Sequence, residues 1–165
     1  MKNQILVVDS GLGGLNVLRL LQKSMPHRNF IYFADEAYCP YGEKSTECVK
    51  TRVVKIVDVF KHVACATVLA CNTASVCAGD ELRQVYAPLF DVVLPTAYAV
   101  KQSGAKRVAV LATKLTVQSG VYESLLAKCG VDVTSVDCGE FVGLVESNAP
   151  AWQRLEVVKS HLSDI

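Results

Sequence analysis

A thiol set where a buried strand gives way to a helix can hold or release a proton, and Cys71 has that setting. Apolar Val68-Leu69-Ala70 delivers the chain to a strand end, and Asn72 or Thr73 is placed to cap a helix running on through about Tyr86. The sulfur would then lie near the positive end of that helix, where a thiolate is stabilised. A small, inert cysteine buried at a strand end is the competing meaning of the same segment.

Three further loops carry polar groups that could serve such a thiol. Asp9-Ser10-Gly11-Leu12-Gly13-Gly14 is a glycine-rich turn that lets backbone amides approach a ligand, preferably an anion, at the start of a helix. A tight turn capped by Asp9 or Ser10 is its plainer reading. As a dinucleotide fingerprint it fails, because a third glycine is needed where Asn16 stands, and the Gly-Lys-Ser/Thr end of a P-loop is missing. The loop from Asp35 to Ser45 is long and polar, and Pro40-Tyr41-Gly42 would make a rigid turn that presents or packs a phenol. After Val108-Ala109-Val110-Leu111-Ala112 come Thr113, Thr116, Ser119 and Tyr122, spaced so that hydroxyls line one side of a helix start or simply cap it.

The elements that must position these loops follow from hydrophobic pattern. Runs rich in Val, Ile and Leu at residues 5–8, 30–33, 67–70, 92–94, 108–112 and 131–136 read as fully buried strands. Helical stretches separate them. In residues 46–62, Val49, Val53, Ile56, Val57 and Phe60 fall on one face behind a Ser45 or Thr46 cap. Alternating strand and helix predicts an α/β fold with a mainly parallel sheet and flanking helices, whose ligands sit at the carboxyl ends of the strands.

Composition narrows the partners. The 165 residues are 51% hydrophobic and 20% charged, enough to bury a core, and 17 Lys+Arg against 16 Asp+Glu leave a net charge of +1. No basic surface advertises nucleic acid, and no apolar run approaches the roughly 18 to 20 residues that span a bilayer. With no signal-like start, a cytoplasmic protein with a small-molecule substrate is expected. Seven cysteines at irregular spacings, without a CxxC pair, and three histidines support neither a disulfide framework nor a metal site.

In that order and at these separations, DSGLGGLNVL, IYFADEAYCPYGEKS, LACNTAS and LATKLTVQSGVY resemble the glutamate racemases of the aspartate/glutamate racemase family, from about Ile5 to Glu146. The resemblance implies a racemase-type architecture of two α/β lobes, here 1–95 and 96–165, each lobe of the family contributing one catalytic cysteine. By position Cys71 matches the first of these, and Asp9 a catalytic partner beside it. Ser10, Pro40, Tyr41, Gly42, Asn72, Thr73, Thr113 and Thr116 match substrate-site positions. The implied chemistry interconverts L- and D-glutamate for peptidoglycan with no metal and no pyridoxal cofactor: one thiolate removes the α-proton from one face while a second thiol donates to the other.

This sequence departs from the family in one large respect. The family's later Gly-Cys-Thr-His motif, which carries the second cysteine, does not occur in these 165 residues. The second lobe is therefore expected to be incomplete and the chain by itself inactive as a racemase, with apolar edges that self-associate into a homo-oligomer. The alternative is a pseudo-racemase that binds an acidic amino acid or a protein partner without catalysis. Neither Cys138 nor His161 is expected to replace the missing groups, His161 being read as a solvent-facing helix residue. Ala112, where the family usually has glycine, and Gly139, where it often has proline, are smaller departures.

Overall fold

The computed structural model describes residues 3–86 and 88–163. The chain forms two compact units, Met1–Val92 and Val93–Ile165.

In the first unit the order is β1 (Gln4–Asp9), α1 (Leu15–Ser24), β2 (Asn29–Ala34), two short 3-10 turns (Glu36–Tyr38 and Tyr41–Glu43), α2 (Thr46–Phe60), β3 (Ala64–Leu69), α3 (Asn72–Val85) and β4 (Leu89–Asp91). All strand pairs are parallel, in the order β2-β1-β3-β4. β1 is therefore central. Strand alternation sends Ile5 and Val7 to one face, where they cluster with Val68 and Ala70 under Val17, Leu18 and Leu21 of α1. Leu6 and Val8, on the opposite face, are fully buried as well. α2 starts on a Ser45 cap whose hydroxyl accepts the Cys48 N–H at 3.2 Å, and it buries Val49, Val53, Ile56 and Val57. Phe60 is only half-buried and meets Phe33 edge-on, with ring centroids 5.8 Å apart.

The expected strand at residues 92–94 is not one. Those residues lead into α4 (Val93–Ser103), and the edge strand lies just before them. Pro95 explains the error: within the first turn of a helix its missing N–H has no partner to lose, so an apolar run containing proline starts a helix here.

The second unit continues with β5 (Arg107–Ala112), α5 (Lys114–Gln118), α6 (Val121–Ala127), β6 (Asp132–Asp137), α7 (Glu140–Glu146) and α8 (Ala151–Leu162). β5 and β6 form a two-stranded parallel sheet. Its small core joins Ala97, Leu126 and Val131 to Val108 and Val133. The reading of residues 30–33, 108–112 and 131–136 as fully buried strands is corrected, since no residue of β2 or β5 is fully buried and β6 alternates between exposed and half-buried over most of its length. Burial alternates along β5, and Leu111 remains 40% exposed, because the helices of the unit cover the sheet on the side of Val108 and Val110. His161 is corrected too. Its ring is half-buried rather than solvent-facing, edge-on to Phe141 at 5.1 Å and with Nε2 3.1 Å from a Glu140 carboxylate oxygen. No helix among the described residues is long and apolar enough to cross a membrane.

Candidate active site

Register brings three loops to one end of the first sheet. Asp9 pairs with Ala34 and Val8 with Leu69, so the turns after β1, β2 and β3 leave the sheet side by side.

Asp9 is buried, and its Oδ2 accepts the Gly11 N–H at 3.1 Å and the Gly14 N–H at 3.0 Å, with the Tyr32 hydroxyl at 3.4 Å. The glycine-rich turn thus turns these two amides on an internal carboxylate rather than on an external anion. Neither Asp9 nor Ser10 caps α1, whose N-cap is Gly14 with no side-chain bond. A side chain at position 14 has no room: a Cβ there would lie 2.8 Å from the Asp9 Cβ and 2.9 Å from the Ala70 Cβ. Gly14→Ala is expected to destabilise the protein by about 1–3 kcal/mol through this overpacking, measured by chemical denaturation, whereas at Gly13 the nearest atom is 3.7 Å away and Gly13→Ala should cost clearly less.

Cys71 itself occupies the N-cap of α3, displacing Asn72 and Thr73 from the expected role. Its Sγ accepts the Ala74 N–H at 3.5 Å, and its S–H points to the Ser10 hydroxyl at 3.8 Å. Ser75 anchors the cap by donating from its hydroxyl to the Cys71 carbonyl at 2.7 Å. The expected stabilisation of a thiolate is also corrected. Burial, then the negative charge of Asp9, push the thiol above its ordinary range, and the helix-start amides of Ala74 and Thr73 with the Ser10 hydroxyl oppose this without outweighing it. The balance of these effects favours the thiol over the thiolate in the free protein.

Pro40, Tyr41 and Gly42 lie in the loop after β2, with Tyr41 and Gly42 buried. Asp35 and Arg52 belong to the same assembly and were not singled out from sequence. Arg52 clasps the Asp35 carboxylate with Nε at 2.8 Å and Nη2 at 2.7 Å, and Tyr41 donates its hydroxyl to it at 2.7 Å. The available signal was a cation at 52, flanking the buried Val49 and Val53 of α2, where a polar residue needs a partner.

Thr113 and Thr116 belong to the second unit. Their hydroxyls lie 3.3 Å apart at the start of α5, with Thr116 buried. The expected single row of hydroxyls is broken, because Gly120 adopts a left-handed φ of 61° between α5 and α6. Ser119 turns back to the Thr116 carbonyl at 2.6 Å, and Tyr122 goes with α6, buried and hydrogen-bonded to Thr96. Cys138 is 3% exposed, and burial with the charges of Asp137 and Glu140 pushes its thiol upward.

Comparison with known proteins gives a consistent result. A family model described as Asp/Glu/Hydantoin racemase matches residues 15–159. A glutamate racemase of Trichormus variabilis is 42% identical over 147 residues, which cover 86% of this chain and 50% of that protein. A crystal structure of a Bacillus anthracis glutamate racemase isoform superposes with a TM-score of 0.89 at 30% identity, covering 98% of this chain and 63% of that one. A Francisella tularensis glutamate racemase crystallised with D-glutamate gives a TM-score of 0.87 at 31% identity over 98% of this chain and 63% of that one. The chain spans about half the length of the curated relatives it matches.

Proposed function

Since this chain belongs to the Asp/Glu/Hydantoin racemase family, we propose that it forms the Cys71-bearing part of a cofactor-independent glutamate racemase, an isomerase that interconverts L- and D-glutamate. One observation carries the reading: at a single sheet end a helix-capping thiol lies against the Ser10 hydroxyl, beside an aspartate held by two glycine amides.

The chemistry demands such an arrangement. The α-hydrogen of an amino acid is so weakly acidic that a base must act together with electrostatic stabilisation of the developing carbanion. Cys71 serves one face of Cα, and inversion needs a second thiol on the other. Asp9 raises the Cys71 thiol in the free protein. A substrate ammonium beside Asp9 would offset that charge, easing formation of the thiolate only once substrate is bound. In the first unit Ser10, Asn72 and Thr73 supply hydroxyl, amide and backbone groups of the kind that hold an amino acid's ammonium and carboxylate; the second unit, taken by itself, presents the paired hydroxyls of Thr113 and Thr116. As such an enzyme the protein would furnish D-glutamate for peptidoglycan in the cytoplasm.

Alkylation of Cys71 by iodoacetamide, resolved from the other thiols by peptide mass mapping, tests the reading. Millimolar glutamate is expected to slow alkylation in at least one enantiomer while lysine does not. Equal rates with and without either enantiomer would remove glutamate as the ligand.

A further inference from the structure

Tyr41 is among the substrate positions implied by the resemblance, yet its hydroxyl is already engaged inside the protein. It donates at 2.7 Å to Asp35 Oδ2, the oxygen that also takes Arg52 Nε at 2.8 Å, while Arg52 Nη2 reaches Oδ1 at 2.7 Å. The guanidinium lies 4.4 Å over the Tyr38 ring, and the Asp35 N–H donates to the Asp9 carbonyl at 2.9 Å. Asp35 is 2% exposed and Tyr41 1%. The turn Tyr41–Glu43 packs against α3, which starts at the Cys71 cap. A continuous rigid path therefore runs from α2 through a fork-on-fork ion pair and a buried phenol to the helix that carries the thiol.

We propose that Asp35 and Arg52 are positioning residues of this site, holding Tyr41 as a buried strut in the turn that packs against α3 so that the half-buried Cys71 stays partly shielded from water, and that the Tyr41 hydroxyl makes no bond to substrate. The proposal rests on the racemase reading for the role of Cys71, but the packing it invokes stands without it. Burying a loop against α3 does not itself require charge, since apolar side chains of similar volume hold such loops equally well. What the bidentate pair adds is a single orientation for the carboxylate and hence for the phenol bonded to it.

The titratable groups facing Cys71 are Asp9 from β1, Tyr41 from the loop and Cys77 from α3 itself. Asp9 is held independently, by the glycine turn. Loosening the strut therefore changes chiefly the water around the sulfur.

The decisive measurement is the pH profile of Cys71 alkylation by iodoacetamide in the 165-residue chain, its Arg52→Lys variant and its Tyr41→Phe variant, each shown to be folded by circular dichroism. Lysine keeps the charge and loses the fork; phenylalanine keeps the ring and loses the strut's hydrogen bond. Both are expected to move the midpoint toward that of an ordinary thiol by about half a pH unit or more, roughly threefold in thiolate at fixed pH. Profiles superimposable on the parent's would overturn the proposal, and Tyr41→Phe decides alone if Arg52→Lys does not fold. A residue that merely stabilises the fold moves the melting temperature and leaves this profile in place. The profile is taken without amino acid, so its failure sinks the positioning role and not the glutamate reading. Absent protection by glutamate with shifted profiles would do the reverse.

Discussion

Glutamate incubated with this chain in D2O is expected to gain deuterium at Cα in one enantiomer only, without conversion into the other. A single thiol can remove an α-proton, exchange it with solvent and return a deuteron to the same face. Inversion needs a donor opposite. On the function proposed above that one-sided chemistry would fall to Cys71, whose sulfur sits at the α3 cap with Ser10 and the Asp9 charge as neighbours. Cys71→Ala is expected to slow the exchange by about 10²–10⁴, the usual contribution of a positioned acid or base. Proton NMR of the Cα signal, combined with a chiral assay of the product, reads both outcomes. Appearance of D-glutamate from L-glutamate would show that these 165 residues contain a second competent donor and would refute the one-thiol account.

The second large effect is on stability. Asp35→Asn keeps the shape of the side chain but removes the charge that Arg52 and Tyr41 are bonded to. Breaking a buried, hydrogen-bonded pair costs about 3–5 kcal/mol, and because the Arg52 side chain is 31% exposed the lower figure, about 3 kcal/mol, is expected in urea unfolding. The same pair sets an acid limit. Burial by itself would raise the Asp35 pKa, but the hydrogen bonds from Arg52 and Tyr41 and the charge of Arg52 outweigh it and hold the carboxyl below its ordinary value of 3.8. The unfolded chain then takes up this proton near 3.8 and the folded chain only at lower pH. The pair's contribution is whole above that value and is lost as the pH falls below it. The parent's stability should therefore drop steeply below about pH 4, and that drop should be shallower in Asp35→Asn. Parallel curves for the two proteins would show that the pair does not set the limit.

The parts of this site legible in the sequence are those fixed by strand endings. Cys71 and Asp9 each directly follow or close a run of apolar residues, and in a parallel sheet every such run ends on the same side, so the two had to be near each other. The details that escaped depend on which of several adjacent groups wins a bond. Asn72 and Thr73 are better intrinsic caps than cysteine. Yet the β3 register places Cys71 at the non-helical position where a cap must sit, with φ −93° and ψ 126°. The Gly11 and Gly14 amides were free to bind any anion until the fold brought the Asp9 side chain back over its own turn. The Asp35 to Arg52 pair was invisible because no local period links a loop residue to a flank position on the next helix. Fold class was clear from alternation, whereas β4 was misplaced because three apolar residues before a proline suit a strand or a helix start equally.

Sheet order also bears on how the site comes into being during synthesis. β1 is made before both of its neighbours, yet it lies between β2 and β3. Until β3 is added, the strand that ends in Asp9 has one side unpaired. At ~5–20 residues per second the wait is a matter of seconds. β3 ends at Leu69, and Cys71 follows two residues later. The event that closes the second side of β1 therefore delivers the thiol as well, and carboxylate and sulfur take their places in one step of assembly.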